Sequence, residues 1–166
     1  RHSLVSRDKL ALEVDERKLA EMRLQLVSRH QQTVLATIPD IIVEVDNNKV
    51  ITWTNTEGLE FFGADVCGRE AAYYFEGDQD TYRRVAPVFN GSAGTVYVES
   101  WQRRKDGQKR LLAWWCRALT GENGNVTGAL SVAQDITERR QAEEMLLESE
   151  ERYRHLYQSA GIGVGY

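Results

Sequence analysis

Two Asx-Gly dipeptides constrain the fold of this chain more than any other feature of its sequence: Asp106-Gly107 and Asn123-Gly124. Each is flanked by runs of apolar and β-favouring residues. Asx-Gly is a strong hairpin signal because a two-residue type I′ turn requires a positive φ at both central positions. The pattern therefore predicts three consecutive antiparallel strands, at about 95–105, 109–120 and 125–136.

A charged segment with helical periodicity follows the third strand directly, at 138–158. Its apolar and small residues follow a four-three spacing, which is typical of one seam of a coiled coil. The tail at 159–166 repeats the apolar spacing around residues 35–43. Such a repeat indicates tandem domains, so we expect the tail to begin a second domain in a longer protein.

The N-terminal segment, 1–35, has many charges and few helix-breaking residues. Apolar side chains recur at heptad spacing on it: Leu12, Leu19, Met22 and Leu26. This short and imperfect repeat predicts a helix that pairs with a second copy, compatible with a parallel coiled coil in a homodimer. The alternative is a single amphipathic helix lying across the sheet.

The segment before the three strands alternates strand and helix patterns. A strand pair is predicted at 41–46 and 49–54, and short helices are predicted at 56–62, 69–75 and 78–89. Asn55 and Asp78 are the predicted caps of the first and third of these helices, since short polar side chains accept hydrogen bonds from free amides.

Composition excludes several classes of function. With 166 residues, a net charge of −4 and no cluster of Lys and Arg, the chain does not resemble a nucleic-acid binder. No apolar run approaches the roughly 18 residues of a membrane span, so we expect no membrane contact. Cys67 and Cys116 form no metal or disulfide pattern, which suits a reducing cytoplasm.

Three motifs together resemble those of a PAS sensor domain. They are the hairpin Trp101-x-Arg103-x-Lys105-Asp106-Gly107, the turn Gly124-Asn125-Val126-x-Gly128 and the closing Asp135-Ile136-Thr137-Glu138-Arg139. The resemblance extends upstream to about Ala36. It implies an α+β PAS fold at 36–137, with a five-stranded antiparallel sheet, short helices on one face, and linker helices at both ends.

The resemblance also implies a role. Such modules serve multidomain bacterial signalling proteins, so we expect a homodimer whose chain continues into a second PAS domain and an output domain. A histidine kinase and a diguanylate cyclase are common outputs of this kind, and the sequence does not choose between them. The fragment itself is expected to be non-catalytic, because its histidines all lie outside the predicted sheet domain: His2, His30 and His155.

A candidate ligand pocket follows from strand alternation and from resemblance to flavin-binding members of the family. Seven side chains are placed on the inner face of the sheet: Ser100, Gln102, Leu112, Trp114, Cys116, Ser131 and Ala133. Leu130, Val132 and Trp115 are then left for the outer face, where a flanking helix or a second subunit would cover them. Either a small-molecule ligand or the ring of Trp114 fills the inner space.

No cofactor is expected. Light-sensing flavin members carry an Asn-Cys-Arg-Phe motif where this chain has Val66-Cys67-Gly68-Arg69, and polar strand residues where it has Leu112 and Ala133. Those apolar side chains would leave the polar edge of a flavin without hydrogen bonds. His-ligated haem needs a histidine in the third helix, and 78–89 contains none.

The junction between sheet and helix is a candidate signal relay. Asp135 and Glu138 have capping-box spacing, so Asp135 is predicted to accept from the first free amides while Glu138 reaches back. Thr137 is the competing cap. The sequence thus favours a cytoplasmic module that relays a ligand- or partner-induced change. Two alternatives remain: a ligand-free dimerisation spacer, and a small-molecule-binding enzyme domain.

Overall fold

A computed structural model describes residues 2–37 and 40–161, and the chain forms two compact units, Arg1–Pro39 and Asp40–Tyr166. The first unit is one helix, α1, at His2–Thr37. The predicted heptad side chains are all more than half exposed in this single chain: Leu12, Leu19, Met22 and Leu26. A second surface would be needed to bury these side chains, and the dimer stays a prediction.

The second unit is built on a five-stranded antiparallel sheet. Its strands are β1 Ile41–Asp46, β2 Ile51–Thr54, β3 Thr95–Arg103, β4 Lys109–Thr120 and β5 Val126–Asp135. They lie in the order β2-β1-β5-β4-β3, so the first strand pairs with the last. The predicted α+β architecture is confirmed, with strand ends within a few residues of those expected.

Helices α2 at Thr56–Phe62 and α3 at Thr81–Phe89 pack on one face of the sheet, and a short 3-10 turn, Ala71–Tyr74, lies between them in the chain. Asn55 caps α2 as predicted, because its side chain accepts from the Gly58 amide at 3.1 Å. The Asp78 prediction is wrong. Helix α3 begins at Thr81 behind Asp80, whose carboxylate pairs with Arg83 instead of capping the helix.

The hairpin loops differ from the predicted type I′ turns. Neither Asp106 nor Asn123 has a positive φ; Gly107 and Gly124 alone adopt it, at 83° and 76°. Each glycine amide bonds back over a three-residue loop, as Gly107 does to the Arg104 carbonyl at 2.8 Å. A type I turn followed by a left-handed residue has this geometry. The hairpins therefore stand where predicted, with loops one residue longer.

The two faces of the sheet carry different apolar groups. On the inner face, one cluster lies under α2 and another under α3, and both include residues of β1, β4 or β5. On the outer face Leu111 and Ala113 pack with Ile136, just before the last helix. Leu111 therefore lies on the outer face and its neighbour Leu112 on the inner face, as successive residues of a strand do.

Helix α4, Thr137–Ser159, follows β5 after a single residue. Beyond its first turn its apolar side chains are exposed, including Leu146, Tyr153 and Leu156. The predicted start of a second domain at 159–166 falls largely outside the described residues, and Ser159 itself still belongs to α4.

Candidate functional site

An apolar cavity of about 80 Å³ lies between the inner face of the sheet and helix α3. All five strands contribute side chains to its sheet wall, while Tyr82, Val85 and Phe89 line it from α3. This volume is about half that of the apolar cavity of roughly 150 Å³ that accommodates benzene. The space therefore suits only a small molecule unless the walls move apart.

Five of the seven predicted pocket residues line this cavity: Ser100, Gln102, Trp114, Cys116 and Ser131. The remaining two, Leu112 and Ala133, face the same side of the sheet but are fully buried in the neighbouring apolar cluster with Phe61 and Phe62. Strand alternation alone fixes which face a residue takes. Where along that face the cavity opens depends on how α2 and α3 pack.

Most polar groups of the cavity already have partners. Gln102 and Ser100 are almost completely buried, and Gln102 Nε2 donates to Ser100 Oγ at 2.7 Å. Trp114 differs, because its indole Nε1 is the one buried side-chain nitrogen or oxygen without a hydrogen-bond partner in the described part of the chain. An unsatisfied buried donor typically costs about 1–3 kcal/mol, so a bound acceptor would be stabilising there.

Two titratable groups of the cavity wall, Cys116 and Tyr82, stay in their neutral protonated forms. Burial raises the pKa of the Cys116 thiol, which holds it in the unreactive protonated form. Burial, together with the hydrogen bond that Tyr82 donates to Glu70, raises the pKa of Tyr82 to about 12. Cys67 is exposed and lies away from the cavity wall.

Lys49 is a cavity residue that the sequence reasoning missed. It closes the β1–β2 loop with a φ of 63°, the sole positive φ outside glycine among the described residues. Its Nζ lies 4.5 Å from the ring centroid of Phe89 and 6.0 Å from that of Tyr82. Asn47-Asn48 marks this turn in the sequence, but no local signal shows that the following lysine reaches α3.

The sheet and α4 meet in a hydrogen-bonded joint formed by Asp135, Thr137, Glu138 and Arg110. Asp135 Oδ1 accepts from the Thr137 amide at 3.1 Å and from Thr137 Oγ1 at 2.6 Å. The same hydroxyl oxygen accepts from the Leu111 amide at 2.9 Å. Thr137, the first residue of α4, is therefore hydrogen-bonded to both β4 and β5. The N-cap position belongs to Ile136, so neither of the two predicted caps, Asp135 and Thr137, occupies it.

Arg110 completes the joint and replaces the predicted capping box. Its Nε donates to Asp135 Oδ2 at 2.7 Å, while its Nη2 donates to both carboxylate oxygens of Glu138 at 2.6 and 2.7 Å. Burial raises the pKa of Asp135, but hydrogen bonds from Arg110 and Thr137 outweigh burial and hold that pKa below its usual value. The hydrogen bond from Arg110 likewise lowers the pKa of Glu138.

Sequence reasoning missed Arg110, although a signal was present. Because β4 and β5 are joined by a short hairpin, their antiparallel register brings Leu112 opposite Asp135. Arg110 lies two residues further along β4, on the side toward α4. A second tether, from Arg140 on α4 to Glu99 on β3 at 2.7 Å, also connects the helix to the sheet.

The outer face of the sheet keeps some apolar surface open. Leu130 and Val132 are half-buried, and Trp115 is 39% exposed beside Tyr97, with ring centroids 5.3 Å apart. That a flanking helix or a second subunit covers these three side chains stays a prediction. Within the described residues, no helix combines the length and apolar character that crossing a membrane requires.

Solved structures with the same fold are found in several organisms. The PAS domain of a protein from Colwellia psychrerythraea is 24% identical, with 68% of this chain and 98% of that chain covered and a TM-score of 0.59. The PAS domain of an HTR-like protein from Haloarcula marismortui is 21% identical, covering 72% and 99%, also with a TM-score of 0.59.

A sensory box histidine kinase/response regulator from Burkholderia thailandensis is 18% identical, with 75% of this chain and 97% of that chain covered and a TM-score of 0.55. At these identities the likenesses establish the fold alone. Comparison with curated protein sequences gave no significant match. The family model for the PAS fold matches residues 29–136, which is well over half of the sequence. With the sheet order and the flanking helices described above, this match shows that the chain belongs to the PAS family.

Proposed function

We propose that this PAS sensor domain relays a change at its inner cavity into helix α4. The observation that carries the proposal is the course of β5. Ala129 and Ser131 line the cavity, and the same strand ends four residues after Ser131 at Asp135, in the joint with α4.

Strand β4, which is antiparallel to β5, also connects the cavity to the joint with α4. Trp114 and Cys116 line the cavity, and Arg110 on that strand bonds both Asp135 and Glu138. A shift of either strand must therefore alter hydrogen bonds at the first turn of α4. Because such charge-assisted bonds are short and directional, small displacements change their energy appreciably.

The assembly belongs to the same proposal. A homodimer, formed through Leu12, Leu19, Met22 and Leu26 on α1 and through Leu130 and Val132 on the outer face, would present α4 as a pair of helices to a downstream PAS domain. A histidine kinase or a diguanylate cyclase would be the output. Two free cysteines suit the reducing cytoplasm, where we expect the protein to act.

The relay can be tested with a substitution that fills the cavity. Ser131→Leu places bulk into the cavity wall, and Thr127→Leu introduces the same side chain at an exposed position of the same strand. We expect Ser131→Leu, and not Thr127→Leu, to change amide hydrogen exchange at 138–142. A folded Ser131→Leu protein with unchanged exchange there would instead favour a ligand-free spacer.

A further inference from the structure

We infer that the cavity binds a short-chain monocarboxylate, with Lys49 contacting the carboxylate. This inference rests on the proposed sensory function and specifies the chemistry of the ligand. Its starting point is the conformation of Lys49, whose φ of 63° lies in the left-handed region. A residue with a Cβ adopts that region at a cost, and such outliers cluster at functional sites.

The other two hairpin loops show which residue type occupies the equivalent position. In all three loops the third residue donates its amide back to the residue before the loop: Lys49 to Asp46, Gly107 to Arg104 and Gly124 to Gly121. Two of the three use glycine, which adopts a positive φ without steric cost. A lysine at this position pays a steric cost for its positive φ, but its side chain can contact α3.

That side chain brings a cation to an apolar cavity. Lys49 Nζ lies over the Phe89 ring and donates one hydrogen bond, to the Asn47 carbonyl at 3.2 Å. It forms no ion pair with any carboxylate in the part of the chain that the structure describes. The ammonium therefore keeps donors for an anion, and the same charge repels amines.

Trp114 adds a second requirement. Its buried indole N–H has no acceptor among the described groups, and the ring lines the same cavity. A hydrocarbon offers this donor nothing, whereas a carboxylate supplies two acceptor oxygens. The apolar walls, which include Val45 and Val85, then suit a short alkyl chain.

Size and charge narrow the ligand class further. The cavity holds about 80 Å³, close to half of the roughly 150 Å³ apolar cavity that accommodates benzene. Doubly charged phosphates would be poorly matched to one lysine in apolar surroundings, because a buried charge without a partner is costly. A monocarboxylate of about two to four carbons fits both limits.

The test is a titration of the whole chain at constant ionic strength with acetate, propionate, butyrate and hexanoate, and with the neutral amides propionamide and butyramide. The readout is the indole ¹H–¹⁵N resonance of Trp114, assigned with Trp114→Phe. We expect saturable binding of the shorter carboxylates, with the matched amides at least about tenfold weaker, the equivalent of about one charge-assisted hydrogen bond.

Lys49→Gly isolates the cation without endangering the fold, since glycine relieves the left-handed backbone. This variant should melt at an equal or higher temperature yet bind carboxylate about tenfold more weakly. Lys105→Gly, which removes an exposed lysine paired with Glu60, should leave binding unchanged.

Equal binding of amides and carboxylates, undiminished binding by Lys49→Gly, or no saturable shift would each overturn the inference. The relay itself is judged separately by hydrogen exchange in Ser131→Leu, which requires no ligand. Amide binding with an intact relay would thus reject the anion and leave the sensory function standing.

Discussion

Arg110 in β4 donates hydrogen bonds to both carboxylate oxygens of Glu138, in the first turn of α4, at 2.6 and 2.7 Å. The same guanidinium holds Asp135 at the end of β5, so a single side chain spans two strands and the exit helix. Arg110 is only 14% exposed and Asp135 25%, while Glu138 is 72% exposed. The bond to Asp135 is therefore the less screened of the two.

Arg110→Met should loosen the start of α4 while leaving the sheet folded. The methionine keeps part of the apolar stem but leaves Asp135 without its cation, at a cost of about 1–3 kcal/mol. We expect faster amide exchange at 138–142 and a lower melting temperature. Arg104→Met, which breaks an ion pair with Asp106 inside a hairpin loop, is the matched control and should leave 138–142 unchanged.

The joint should also weaken in acid. The pKa of Asp135 is depressed in the folded chain, so its stabilising contribution is complete above its unfolded value of about 3.9 and is lost as pH falls through the lower folded value. Protection at 138–142, measured relative to the intrinsic exchange rate at each pH, should be steady from pH 7 to about 5 and should fall below about 4. Asp135→Asn should reduce this acid response to the part that Glu138 contributes. An equal acid response in that variant would contradict the assignment to Asp135.

Local patterns predicted the sheet well because they depend on near neighbours. Asx-Gly dipeptides and apolar runs placed β3, β4 and β5, and alternation put Leu112 on the inner face of the sheet. The loop type was wrong because Asp106 takes an ordinary φ and only Gly107 turns left-handed. The dipeptide signal does not distinguish a two-residue loop from a three-residue loop that ends in glycine.

Contacts between distant segments were the part that the sequence did not reveal. Arg110 and Glu138 are 28 residues apart, and Lys49 meets Phe89 across 40 positions of chain. Asp135 does accept from an amide at the start of α4, that of Thr137, but Glu138 does not reach back, because the Arg110 guanidinium offers it a charged partner. Likewise, the packing of α3 decides which inward residues border the cavity.

A dimer seam on α1 predicts a clear pair of outcomes. Leu19 lies on the heptad stripe, whereas Leu24 is also more than half exposed but lies off the stripe. Leu19→Glu should place a charge in the seam and shift sedimentation toward monomer, while Leu24→Glu should sediment like the parent. If the parent is monomeric at high concentration, or if the two variants behave alike, the heptad residues do not form a dimer seam.

Purified protein should lack visible absorption. The positions where flavin-binding members carry polar strand residues are Leu112 and Ala133, both fully buried in apolar surroundings. They offer no hydrogen bonds to a flavin edge, and helix α3 contains no histidine for haem. A stoichiometric band in the flavin or Soret region that survives gel filtration would show this expectation to be wrong.

Hydrogen exchange on the double variant Asp135→Ala with Thr137→Ala tests the relay joint most directly. Both changes remove hydrogen bonds between β4, β5 and α4, including the bond from the Leu111 amide to Thr137. Losing such bonds costs about 1 kcal/mol each, so protection in β3, β4 and β5 should persist while exchange at 138–142 accelerates several-fold. Unchanged protection at 138–142 in a folded protein would contradict the joint.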